Sequence, residues 1–202
     1  MKFNMGCGHN RIEGFVNVDA AAACNPDEVW DLEQMPWPWS TGVATEVRFI
    51  HSMEHMGGDP KVFMAMMREL YRVCAPSAVV EIHAPHPRHD DFLNDPTHVR
   101  AISPNMLSLF DRELNDAWKA KGSANSPLAH YTGVDFKITE VVTVLAAPYD
   151  AGIRSGSMTT AEVQDAIRSR NNVVAEWRIK LMARKSVEPV PVGQQHTVSA
   201  GA

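Results

Sequence analysis

The sequence predicts an α/β domain, a doubly wound and mostly parallel sheet with an antiparallel C-terminal strand, and three observations predict it. Apolar runs of strand length recur at residues 2–5, 15–18, 46–50 and 78–84, separated by turn residues. Between the last two, residues 60–73 place Val62, Met66, Leu70 and Val73 on one helical face behind Pro60, as a crossover helix would. Residues 173–184 alternate more cleanly than the rest of the chain, with Val173, Ala175, Trp177, Ile179, Leu181 and Ala183 facing one way and Glu176, Arg178, Lys180 and Arg184 the other. That pattern is a half-exposed strand at or near a sheet edge.

The remaining elements follow in order. Residues 85–100 are rich in His, Asp and Pro, which is loop chemistry, and residues 103–114 read as one helix. Residues 136–145 form a further strand, and 146–158 a flexible approach to the next helix. Thr159 and Glu162 have capping-box spacing ahead of a short helix carrying Val163, Ala166 and Ile167. From residue 186 the apolar period is lost, so the domain is expected over 1–185 and a disordered tail over 186–202.

Bulk properties narrow the function. Of the 202 residues 45% are hydrophobic, enough for one substantial core, and the formal charge of −5 without a dense basic run disfavours nucleic acid. Cys7, Cys24 and Cys74 are odd in number and lack CxxC spacing, so neither a disulfide framework nor a zinc knuckle is indicated. A cytoplasmic protein with no membrane span and no export signal is expected.

The first chemical feature is Gly6-Cys7-Gly8, a glycine turn at the end of the first strand, where an open α/β sheet places its ligands. A second short strand ends in Asn17-Val18-Asp19, and its carboxylate can accept from ribose hydroxyls. Dinucleotide sites usually separate the glycine motif from that acid by about 20 residues, with a phosphate-binding helix between. The shorter interval from Gly8 to Asp19 leaves little room for that helix and points to a nucleoside without phosphates.

At these residues the sequence resembles a branch of the class I S-adenosylmethionine-dependent methyltransferases, which have a Rossmann-like sheet. The likeness continues in order through Asp27-Glu28-Val29-Trp30-Asp31-Leu32, Met35-Pro36-Trp37-Pro38-Trp39, His51-Ser52-Met53-Glu54-His55 and Arg68-Glu69-Leu70-Tyr71-Arg72-Val73, covering about residues 3–111. It implies S-adenosyl-L-methionine as cofactor. Gly6, Cys7 and Gly8 would border its methionine part, Asp19 would hold the ribose, Asp31 and Leu32 would lie by the adenine, and His51 and Ser52 would close the site.

Other readings of these residues stay open. Asp31 serves equally to cap a turn. Glu54 and His55 read better as the polar start of the next helix than as catalysts, and Trp37 and Trp39 as cover for the core or the cofactor edge. The family commonly has a Lys-Pro-Gly-Gly turn after the crossover helix; Ala75-Pro76-Ser77-Ala78 stands there instead. Many relatives also carry N-terminal helices over the substrate, so cover is expected from later segments or another subunit.

Asp95-Pro96-Thr97-His98-Val99-Arg100 resembles a stretch found after the fifth strand in some relatives. His98 is the leading candidate general base, with His51 a second catalytic candidate, and His86, Asp95 and Arg100 are expected at the substrate. The alternative is that His98 and Arg100 pair with nearby Asp residues to hold the loop. Carboxylates and imidazoles in this segment suit zinc or iron, yet none of their spacings is a ligand signature, and no metal is expected.

The sequence thus predicts a methyltransferase acting on a small molecule or glycan-pathway substrate, as a homo-oligomer or with a partner subunit. Its alternatives are a non-catalytic cofactor-binding regulatory subunit, or transfer of another group from the same cofactor.

Overall fold

The computed structural model describes residues 1–185, so the tail expected beyond them lies outside the described residues. The sheet has seven strands: β1 (Lys2–Met5), β2 (Val16–Asp19), β3 (Glu28–Val29), β4 (Ala44–Ile50), β5 (Cys74–Pro85), β6 (Phe136–Leu145) and β7 (Val174–Ala183). Their order is β3-β2-β1-β4-β5-β7-β6. The order winds outward from β1 in both directions, and β7 alone runs antiparallel, between β5 and β6. It lies one strand in from the edge.

Helix α1 (Pro60–Val73) is the crossover from β4 to β5, started by Asp59, whose side chain accepts from the Lys61 amide, with Pro60 in the first turn. It buries Phe63, Met66, Met67, Leu70 and Val73 against one face of the sheet, where Phe3, Met5, Val47, Phe49, Val80, Ile82, Ile179 and Leu181 point inward. Trp37 and Trp39 join this core, Trp39 packing on Phe3 at a ring separation of 4.9 Å.

The links around β2 are built without a long helix. Asn4 and Asn17 take its place: Asn4 Nδ2 donates to Asn17 Oδ1 at 2.9 Å, and Asn17 Nδ2 donates to the Ile12 and Phe15 carbonyls and to Asp27. The Asn17 donors, backbone and side chain, together with Arg11, hold the Asp27 carboxyl down to about 2. Among the described residues, the sheet face on this side carries charge instead of helix. One cross-strand row runs Arg48, Glu81, Lys180, Glu140 with alternating sign, and Arg48 and Lys2 also lie over the Phe15 ring.

Two expected elements differ. Residues 103–114 form not one helix but α3 (Pro104–Ser108), after α2 (Asp90–Leu93), and then α4 (Arg112–Ala120). The break comes where the Leu109 and Phe110 carbonyls accept from the amides of Ala129 and Phe136, while Asp111 caps α4. Beyond α5 (Leu128–Thr132), the segment expected to be flexible holds α6 (Tyr149–Ser155), which Gly156 ends at φ +74°. Gly152 lets Met158 cross it, since a Cβ there would stand 2.7 Å from the Met158 sulfur. Helix α7 (Thr160–Ser169) carries the expected capping box.

The turn at Ala75-Pro76-Ser77-Ala78 takes a left-handed backbone without a glycine: Ser77 has φ +62°, and the β4–β5 register shifts across it, from Ala44 opposite Cys74 to Glu46 opposite Val79.

Candidate functional site

The carboxyl ends of β1, β2, β3, β4 and β5 meet along one rim, and the strand order reverses between β1 and β4, which is where such sheets open a crevice. Two clefts lie there. The first, about 210 Å³, is lined by Gly6, Asp19, Trp30, Asp31, Leu32 and Met56 among others. The second, about 300 Å³, is lined by His51, Glu54, His55, Asp91, His98 and Glu176 among others. His55 lines both, so the clefts adjoin.

In the first cleft Asp19 is held by the glycine turn. Its Oδ2 accepts the Gly8 amide at 2.7 Å and its Oδ1 the Ala21 amide at 2.9 Å, which leaves each oxygen a lone pair. Asp31 Oδ1 caps the turn at Glu33, at 2.9 Å, so the capping role is present while the carboxylate still borders the cleft. Cys7 is buried, its Sγ donating to the Gly8 carbonyl at 3.3 Å, and burial first, then Asp19, raises its thiol pKa. Ser52 is also buried and donates to the Met5 carbonyl at 2.8 Å, tying β4 to β1.

The two glycines differ. Gly6 has φ +67°, and a Cβ on it would stand 2.6 Å from the Ser52 Cβ; Gly8 has φ +50°, and a Cβ on it would meet nothing within 4 Å. Gly6 is therefore required by the β1–β4 junction, and Gly8 faces open space. Gly6→Ala is expected to lose about 2–3 kcal/mol of stability, from overpacking plus the left-handed backbone, and Gly8→Ala only about 1 kcal/mol. Urea midpoints of the two variants read the difference, and equal losses would refute the packing account.

In the second cleft His51 follows β4 with φ +51°, unusual for a residue with a side chain. Its amide donates to the His83 carbonyl, and its Nε2 lies 2.8 Å from Glu176 Oε2, which the antiparallel β7 delivers opposite Pro85. Glu54 on one side, working against the ring's burial and alongside Glu176, lifts His51 above the usual histidine value. Glu54 itself is 1% exposed, and neither of its carboxylate oxygens has a hydrogen-bond partner. His51 Nδ1 approaches to 3.7 Å, beyond hydrogen-bond range.

His98 lines this cleft, its ring stacked on Phe92 and tilted against His55 at 4.6 Å. The other three residues expected at a substrate serve the surrounding frame. His86 is 7% exposed, packs edge-on to Trp177 and accepts the Arg88 amide; burial first, then Arg88 and His89, lowers its pKa. Asp95 caps the turn at Thr97. Arg100 lies over the Phe63 ring at 4.2 Å and donates to the Gly57 carbonyl, so it holds the start of α1 rather than an Asp of its own loop. His98 comes within 3.8 Å of Asp95, too far for a hydrogen bond.

Glu176 escapes a reading of the sequence, and Glu54 is legible there only as the polar start of a helix. Glu176 sits on the alternating strand's polar side, where nothing local separates it from Arg178 and Lys180. Glu54 is one polar residue in a 3-10 turn, Met53–His55, and only its burial marks it.

No family model matches this chain, and no curated protein does. Among solved structures its fold is similar to that of an S-adenosylmethionine-dependent methyltransferase from Archaeoglobus fulgidus, with a TM-score of 0.60 and 17% identity over 90% of this chain and 85% of the other. It is also similar to a methyltransferase of the same class from Methanosarcina mazei, at a TM-score of 0.54 and 10% identity over 92% of each chain. A chain of the complex between the Haloferax volcanii Trm112 methyltransferase activator and a methyltransferase matches at a TM-score of 0.52 and 11% identity, over 91% of this chain and 82% of that one. The sheet is that of the Rossmann-like methyltransferase fold.

Proposed function

We propose that this chain binds S-adenosylmethionine at the glycine turn and transfers its methyl group to a small molecule, such as one from a glycan pathway. The observation that carries this reading is the pair of adjoining clefts on one rim, one lined by Gly6 of the glycine turn and the carboxylates of Asp19, Asp31 and Glu33, the other by paired titratable side chains. The residues suit the cofactor. Gly8 leaves room against the backbone, Asp19 keeps lone pairs for the ribose hydroxyls, and Asp31 borders the same cleft beside buried Leu32. When bound, the cofactor supplies an activated methyl group on a sulfonium.

The chain's own contribution is then to align the acceptor and shed water, which is where such a reaction gains most. His51, oriented by its bond to Glu176, is the group placed to take a proton from an attacking hydroxyl or amine, in the manner of a base steadied by a carboxylate. His98, with its side chain 8% exposed between Phe92 and His55, reaches the cleft less freely. A cleft of about 300 Å³ suits a small ligand better than a polymer.

Calorimetric titration of the purified chain with S-adenosylhomocysteine is expected to give one saturable site. Incubation with S-adenosylmethionine and small-molecule acceptors should then yield a product heavier by one CH2 unit. Absence of binding removes the reading; binding without product from the chain, but product when a co-purifying protein is added, moves the chain to a partner role.

A further inference from the structure

We propose that Glu54, His55 and His98 form a binding site for a divalent transition-metal ion of the zinc or iron(II) class. One ligand atom from each of the three lies within 4.8 Å of the others. The residues come from two segments that the backbone clamps together, since the amides of Val99 and Arg100 both donate to the Glu54 carbonyl at 3.0 Å. That clamp is what sets His98 against His55.

Both imidazoles are prepared as ligands. Thr97 Oγ1 gives its hydrogen to Asp95 Oδ1 at 2.6 Å, so its contact with His55 Nδ1 at 2.9 Å requires the ring to donate. His98 Nδ1 lies 3.0 Å from the Phe92 carbonyl, which can only accept. Nδ1 is thus the donor in each ring, so the neutral imidazole would offer its lone pair at Nε2, with the ring oriented by an outer partner as metal-bound histidines are.

Glu54 supplies the independent reason for an ion. A carboxylate 1% exposed, with neither oxygen hydrogen-bonded among the described residues and the His51 ring no nearer than 3.7 Å, is an expensive state that a directly bound cation would relieve. Ligand atoms of a tetrahedral site with bonds of about 2.0–2.1 Å stand roughly 3.3–3.4 Å apart, so small side-chain shifts would close the present separation. Two imidazoles with one carboxylate match zinc or iron(II) better than magnesium or calcium, which prefer all-oxygen shells.

Three protein ligands leave a coordination position for a water or an acceptor oxygen in the cleft that His51 and Glu176 also line. Polarising an acceptor there rests on the methyl-transfer reading. The binding itself does not.

The test uses the full chain, stripped with EDTA and titrated with cobalt(II) alone. Expected is a visible absorption band saturating at one equivalent, abolished by zinc, and a raised melting temperature with zinc. Glu54→Gln and His98→Ala should each weaken cobalt binding by at least about tenfold, while His130→Ala, on an exposed ring paired with Asp116, leaves it unchanged. Should those variants fail to fold, zinc is expected to protect His55 and His98 of the natural chain from diethylpyrocarbonate modification. Cobalt binding that is not saturable, that survives both substitutions, or that leaves these histidines unprotected would overturn the site. The S-adenosylhomocysteine titration, done on the stripped chain, fails or succeeds separately.

Discussion

Asp19→Ala is expected to weaken S-adenosylhomocysteine binding by at least about 100-fold. The carboxylate would accept from two ribose hydroxyls through lone pairs that the Gly8 and Ala21 amides leave free, and hydrogen bonds to a charged group contribute about 1.5–3 kcal/mol each. Truncation also releases those two amides, loosening the turn that faces the ligand. Asp19→Asn keeps one acceptor and should fall between, nearer tenfold. Calorimetry on both variants checks this, with far-UV circular dichroism showing whether the sheet persists. Unchanged affinity in Asp19→Ala would mean that the ribose lies elsewhere and that Asp19 serves only its turn.

Arg184→Met is expected to destabilise the fold by about 3 kcal/mol, a fall of roughly 6–12 °C in melting temperature for a chain of this size. Arg184 follows β7 and joins three elements at once, pairing with Asp111 at the N-cap of α4, with Glu113 in its first turn, and with Asp135 ahead of β6. The side chains of Asp111 and Asp135 are only 6% and 16% exposed, so removing the guanidinium leaves two carboxylates facing each other with little water. Adding Asp135→Asn to Arg184→Met should restore part of the loss. A change within about 0.5 kcal/mol in the single variant would place this cluster with ordinary surface pairs.

The elements legible in the sequence are those whose signals are local. Pro60 behind the Asp59 cap, the Thr159–Glu162 capping box and the alternation along β7 each state their structure within a few residues. The single helix that the local pattern predicts over 103–114 is broken at a distance, by amides of Ala129 and Phe136 that claim the Leu109 and Phe110 carbonyls. The site divides in the same way. Gly6, Asp19, Asp31 and Leu32 end or follow successive strands, so a parallel sheet gathers them along one cleft. His51 meets Glu176 only because β7 runs backward beside β5, and Glu54 meets His98 only because a later loop folds onto its carbonyl. No spacing encodes either meeting.

The row Arg48, Glu81, Lys180, Glu140 also bears on what else this chain can touch. Arg48 Nε lies 3.3 Å from Glu81 and Lys180 Nζ 2.7 Å from Glu140, so the charges neutralise one another and leave little net field for steering a charged partner. An apolar helix laid across them, from this chain or another, would strip water from four ions at several kcal/mol each. The sheet thus repels the kind of cover that its fold would otherwise invite. Any protein that docks on this chain is expected to leave that face wet.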